Sequence, residues 1–146
     1  MIAISSCLIG KKCRYNGADS FCQALVDELN ENDCEYIDIC PELLAGLPTP
    51  RTPCEIVGGE GKDVVAGTAK IVDVNGNDIT SAMLNGAKKA FDVCIKKKVE
   101  KAYLKQNSPT CGCGKIYDGS FTSALKDGNG IFAELLLVNG IDVTPV

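Results

Sequence analysis

A chain of 146 residues, 45% hydrophobic and 23% charged, can bury one ordinary core and is too short for two, so a single domain over residues 1–146 is expected. A net charge of −4, from 15 Lys and Arg against 19 Asp and Glu, offers no broad attraction to a polyanion and argues against DNA or intact tRNA as a partner. Histidine is absent, which excludes Ser-His-Asp and Cys-His nucleophile pairs, facial His/carboxylate iron sites and Cys₂His₂ zinc fingers.

Residues 2–6 form a short apolar run that predicts a strand ending at Cys7, and the stretch to Asp19, rich in Gly, Lys and Asn, reads as a loop. From Ser20, taken as an N-cap, Phe21, Ala24, Leu25 and Leu29 recur at helical spacing. Tyr36-Ile-Asp-Ile predicts a second strand ending at Cys40, after which Pro41, Pro48, Pro50 and Pro53 argue against regular structure. Asp63 to Val74 is patterned as two short strands before the turn signal Asn75-Gly-Asn, a small β-hairpin insertion. Asp78 or Thr80 then caps a helix with Met83, Ala87, Ala90, Phe91, Cys94 and Ile95 on one face and Lys96, Lys97 and Lys98 at its solvated end. Ala102-Tyr-Leu-Lys is a third strand, Gln106 to Gly130 a long loop, Ile131 to Val138 a helix, and Ile141-Asp-Val a last strand. Strands alternating with helices predict an α/β fold: a single-domain, open, largely parallel, Rossmann-like sheet flanked by helices.

In such sheets ligands sit beyond the carboxyl ends of the strands. Three of those ends carry a thiol: Cys7, Cys40 and, shortly after the third strand, Cys111. The same geometry sorts the other cysteines. Cys34 precedes Cys40 by six positions and belongs about 20 Å away, at the opposite edge. Cys94 is a core residue near a helix C-terminus, and Cys22 packs in the first turn of a helix. Cys7, Cys13, Cys40, Cys54, Cys111 and Cys113 remain on one rim. Thiolates gathered without histidine suit an iron–sulfur cluster or zinc, yet no paired C-x₂₋₄-C knuckles mark zinc, and scattered reactive or structural thiols stand as the competing reading. Nine cysteines are an odd number, roughly 6% of the chain, below the density of a disulfide scaffold. The opening MIAISSCLIG lacks the basic region and length of a signal peptide or membrane span. A cytoplasmic protein with reduced thiols and no membrane partner is therefore expected. Gly58-Gly-Glu-Gly reads as lacking the strand and helix of a nucleotide loop, and no G-x-x-x-x-G-K-[ST] occurs.

Three phrases occupy these loops: Ser5-Ser-Cys-Leu-Ile-Gly with Arg14-Tyr-Asn-Gly; Cys40-Pro-Glu-Leu-Leu-Ala-Gly-Leu-Pro-Thr-Pro-Arg51; and Ser108-Pro-Thr-Cys-Gly followed by Ile116-Tyr-Asp-Gly-Ser-Phe121. Together they resemble the domain of unknown function 523 family, in its thiouracil desulfidase branch. The likeness spans nearly the whole chain, including Asp78-Ile-Thr and Gly140-Ile-Asp-Val, and departs at Cys54, where a small residue is expected, and at the extra Cys113.

The resemblance implies a 4Fe–4S cluster, labile in air, held by Cys7, Cys40 and Cys111, with one open iron acting as a Lewis acid on a soft thiocarbonyl sulfur. It further implies non-redox desulfuration of a small thiolated base or nucleoside to the oxo compound and hydrosulfide. Glu42, two residues after Cys40, is the candidate general acid/base, with loop capping or pairing to Arg51 as its structural alternative. Ser108 is a candidate hydrogen-bonding or relay hydroxyl, or else a turn residue before Pro109. Both match family positions associated with catalysis. Arg14, Tyr15, Arg51 and Lys105 are candidates for orienting the pyrimidine. A fourth ligand from Cys13 or Cys113 would close the open position and make the protein a sensor or storage protein without turnover.

Overall fold

The side chains of Ile2–Ser5 alternate between two cores: Ile4 packs with Leu8, Leu25, Leu29 and Tyr103, whereas Ala3 packs with Met83, Ala102, Leu104 and Phe132. Burial on both sides is what a parallel strand covered on both faces demands. The computed structural model describes residues 1–146. In chain order its strands are Ile2–Ser5 (β1), Tyr36–Ile39 (β2), Cys54–Val57 (β3), Lys70–Asp73 (β4), Lys101–Leu104 (β5), Lys115–Tyr117 (β6), Leu125–Asp127 (β7) and Asp142–Pro145 (β8). Its α-helices are Gln23–Glu31 (α1), Pro41–Leu44 (α2), Gly61–Ala66 (α3), Thr80–Lys96 (α4) and Ile131–Val138 (α5).

The central sheet has the order β2-β1-β5-β8 and every pairing in it is parallel. Ala3 lies between Ile37 and Ala102, and Ala102 faces Val143. From β1 the chain passes through α1 to β2 on one side, and β5 and β8 are added on the other, so the strand order reverses between β1 and β5. A crevice opens at such a point beyond the carboxyl ends. Leu25 and Leu29 of α1 cover one face, while Met83, Ala87, Ala90 and Cys94 of α4, with Phe132 and Leu136 of α5, cover the other. Cys94 is a fully buried core residue, as its helical spacing requires.

Several local expectations need correction. The helix expected from Ser20 begins at Gln23, with Cys22 at its N-cap, because Phe21 is held in a turn by its N–H bond to the Asp19 carboxylate at 3.1 Å and stays half exposed. The proline-rich loop holds the short helix α2: Pro41 sits at its first position, where a missing N–H costs nothing. A β-hairpin is present, but its strands are β3 and β4 in antiparallel register, and the residues expected to form its first strand are helical in α3. A reciprocal capping box between Glu60 and Asp63 starts that helix. The Gly58-Gly-Glu-Gly stretch therefore does join a strand to a helix. The loop Gln106–Gly130 contains a second antiparallel hairpin, β6 and β7. No helix is long and apolar enough to cross a membrane.

Candidate active site and metal centre

The carboxyl ends of β1, β2 and β5 open onto one cavity of about 400 Å³. Cys7, Cys40, Cys111, Glu42, Ser108, Arg14, Tyr15, Arg51 and Lys105 all line it, so side chains from three distant stretches of sequence are brought together. Each thiol is held by its own local device. Beyond Ser5 the chain tightens into a 3₁₀ turn, Ser6–Ile9, and the Cys7 carbonyl accepts the N–H groups of Gly10 and Ser20. Gly10 ends the turn at φ 98°, a left-handed conformation natural to glycine. Cys40 is the N-cap of α2, which puts its side chain at the mouth of β2. Cys111 follows Ser108 in a turn closed by the Gly112 N–H on the Ser108 carbonyl at 3.0 Å, while the Cys111 N–H donates to Ser108 Oγ at 2.7 Å. Behind this turn the first N–H groups of α5, which its own helix leaves unpaired, bond to it: Ile131 to the Pro109 carbonyl, Phe132 and Ala133 to that of Thr110.

Cys7 and Cys111 are nearly buried and Cys40 half-buried. Contact with Cys13, then burial, then the charge of Glu42 push the Cys40 thiol up from its ordinary value. Burial, followed by the Glu42 charge, raises Cys111. For Cys13 the contact with Cys40 lowers the value, but contact with Cys7 and burial outweigh it and the thiol stands at about 11. Metal ligation works against such a rise, because a thiol gives up its proton when it binds a metal. The donor set is soft and free of histidine, which suits iron–sulfur ligation. No three His, Cys, Asp or Glu side chains close around a single ion.

Glu42 does not pair with Arg51. The Arg51 guanidinium donates instead to the carbonyls of Cys13, at 3.0 Å, and Pro48 and to the Thr49 hydroxyl, bracing the proline loop against the first loop. The Glu42 carboxylate receives the Thr110 hydroxyl on Oε1 and the Cys40 thiol on Oε2, the latter at 3.4 Å. Ser108 is both a turn residue and a member of this group, since its Oγ lies 3.2 Å from Thr110 Oγ1. The Arg14 guanidinium stands 5.9 Å from the centre of the Tyr15 ring, and the backbone N–H of Lys105 is fixed by Ser5 Oγ at 2.9 Å.

Of the rim cysteines, Cys13 and Cys54 do line the cavity, and burial with the Glu42 charge pushes Cys54 up to about 12. Cys113 does not line it. Gly112 turns the chain, and the Cys113 sulfur faces the Val143 carbonyl on β8 at 3.9 Å. Sequence reading missed Thr110, whose neighbours in the Ser-Pro-Thr-Cys phrase drew attention away from it. It also missed the wall formed by Tyr117, Phe121 and Ser123. That wall hangs on Glu55, whose Oε1 accepts the Gly119 and Phe121 N–H groups at 2.9 and 3.3 Å.

An open parallel sheet whose carboxyl edge gathers thiols, a carboxylate and hydroxyls around a ligand-sized cavity defines an α/β enzyme of small-molecule chemistry with a thiol-lined centre. The chain belongs to the 2-thiouracil desulfurase family, whose profile matches residues 2–145. Among solved structures it is similar to the [4Fe-4S]-dependent thiouracil desulfidase TudS, with a TM-score of 0.83 and 34% identity over 99% of this chain and 89% of that one. It is also 43% identical over 143 residues to the uncharacterized protein YbbK of Bacillus subtilis (strain 168), covering 98% of this chain and 93% of the relative.

Proposed function

We propose that this protein, acting as a single domain over residues 1–146, is a 4Fe–4S-dependent desulfidase that converts a thiolated pyrimidine of the thiouracil kind to its oxo base and hydrosulfide. The observation that carries this reading is the meeting of Cys7, Cys40 and Cys111 on one cavity that also holds Glu42 and Ser108, in a chain of the 2-thiouracil desulfurase family. Cys7, Cys40 and Cys111 are the proposed ligands; a cluster held by these three sulfurs would leave one iron open and supply a Lewis acid for a soft sulfur.

The reaction forms one C–O bond and breaks one C–S bond, with water as the oxygen source and no net transfer of electrons. Glu42 is the general acid/base. Once Cys40 is ionised as a ligand, its S–H no longer occupies Glu42 Oε2, and that oxygen is free to take a proton from water and later return it to the leaving sulfur. Ser108 holds the water or the ring. Arg14 and Lys105 offer donors to the remaining carbonyl, Tyr15 offers a ring face, and Arg51 secures the loop that carries Cys13. A free base or nucleoside suits the cavity and the net charge of −4, and the nine free thiols suit a reducing, cytoplasmic setting.

The test is anaerobic reconstitution with iron and sulfide counting, then measurement of uracil and sulfide formed from 2-thiouracil and a panel of other thiolated bases and nucleosides. About four irons per chain and stoichiometric sulfide are expected. The presence of Cys13 on the same cavity as Cys7, Cys40 and Cys111 favours one rival, a closed four-thiolate cluster that senses or stores without turnover. A fully loaded protein that releases no sulfide from any thiolated base decides for that rival.

A further inference from the structure

Thr110 has no part in the chemistry described so far, yet it is fully buried and held from two sides. Its carbonyl accepts the N–H groups of Phe132 and Ala133 at 2.9 and 3.1 Å, and Gly130 packs so close that a Cβ there would stand 2.5 Å from the Thr110 carbonyl carbon. From this fixed position its hydroxyl donates to Glu42 Oε1, 68 positions away in the chain, and meets Ser108 Oγ at 3.2 Å.

The directions of these bonds follow from donor capacity. A hydroxyl has one proton and a carboxylate only accepts, so the Thr110 proton goes to Glu42 and Ser108 must be the donor at its contact with Thr110. The Cys111 N–H pointing into Ser108 Oγ agrees, because it uses a lone pair of that oxygen and not its proton. We propose that Thr110 is a positioning residue that joins Ser108 and Glu42 into one unit; the proposal rests on the desulfidation reading above. With Oε1 held by Thr110, Oε2 is the working oxygen of Glu42. With its proton committed to Thr110, Ser108 turns a lone pair toward the cavity and recognises an N–H or O–H donor, a ring N–H of the pyrimidine or the attacking water, and does not donate to the sulfur.

The experiment compares Thr110→Val, which keeps shape and removes the hydroxyl, with Thr110→Ser, which keeps the hydroxyl, in cluster-loaded protein of verified iron content. Thr110→Val is expected to lower kcat roughly 10- to 100-fold with KM within about threefold, and Thr110→Ser to recover most of that loss. In a Glu42→Ala background, Thr110→Val should cost little more. Thermal unfolding of the same double-mutant cycle reads the bridge without substrate: the Tm losses of Thr110→Val and Glu42→Ala should combine to less than their sum. Full kcat in Thr110→Val at normal iron content, or Tm losses that simply add, overturns the proposal. A wild-type protein that is inactive on all thiolated bases overturns the desulfidation reading instead, and the unfolding cycle still decides whether the bridge exists.

Discussion

Gly86 lies on the face of α4 that packs against α2, buried, where a Cβ would overlap the Pro41 carbonyl oxygen and stand 2.7 Å from the Ala45 Cβ. Two opposing effects meet at Gly86→Ala. Helix propensity favours alanine over glycine inside a helix by about 0.5–1 kcal/mol. Overpacking of a tight contact costs about 1–3 kcal/mol. Carbon atoms settle at about 3.5–4.0 Å, so α2 must retreat by roughly 1 Å to relieve the 2.7 Å approach that the new Cβ would make to the Ala45 Cβ. Packing wins, and we expect a net loss of about 1–2 kcal/mol, a fall in Tm of roughly 2–8 °C for a chain of this size. Because Cys40 caps α2 and Glu42 lies in its first turn, the retreat moves both, and a shift of about 1 Å in a reacting group costs on the order of 100-fold in rate. Calorimetry, iron content and sulfide release measured on Gly86→Ala and on the exposed control Asn85→Ala test this directly. A Gly86→Ala protein that gains Tm and keeps its iron and kcat would refute the idea that the α2–α4 contact sets the position of Cys40 and Glu42.

Cys7→Ser, Cys40→Ser and Cys111→Ser are each expected to lose iron at least roughly tenfold more readily than wild type, whereas Cys113→Ser, whose sulfur faces β8, should retain it; equal losses in all four by iron analysis would remove the ligand assignment. Glu55→Ala deletes the acceptor that holds the 118–123 loop, in which Phe121 and Ser123 stand at φ 58° and 64°, a conformation costing about 1–3 kcal/mol per residue. Amide exchange across that loop should accelerate and KM should rise severalfold; unchanged exchange would show that the loop holds itself. Hydrogen bonds from the Asn77 side chain and from the Asn77 and Asn75 backbones hold the Asp73 carboxyl below its ordinary 3.8. Its folded pKa is thus the lower one, so its contribution is complete above the unfolded value and disappears as pH falls through the folded value. In acid unfolding followed by circular dichroism, the stability difference between wild type and Asp73→Asn should therefore be largest above about pH 4 and vanish in stronger acid; a difference that persists there would contradict the assignment.

Strands with local periodicity were readable one at a time: the apolar runs ending at Cys7 and Cys40 and the span Ile131–Val138 stand in the structure as the pattern indicates. Alternating strand and helix then settled the class of sheet, and the carboxyl-end rule gathered Cys7, Cys40 and Cys111, because direction along a parallel strand is a property of the chain itself. The small elements were different. The partner of β4 is β3, across α3, and no local signal says which of two short strands will pair. α2 sits inside a run of prolines because Pro41 suits the first turn of a helix, while α4 accepts it closely only through Gly86.

The sequence alone determined which residue types reach the edge of the sheet: soft thiols without histidine, one carboxylate two residues from a thiol, and a serine three residues before another. Which way each side chain turns was decided by tertiary structure. Cys111 and Cys113 are two positions apart, yet the Gly112 turn sends one into the cavity and the other against β8. Arg51 goes to a backbone carbonyl and leaves the Glu42 carboxylate to Thr110. The physical reason is that a hydrogen bond between residues 68 positions apart depends on where α5 and α2 dock, and docking is a sum over many contacts that no single stretch of sequence contains.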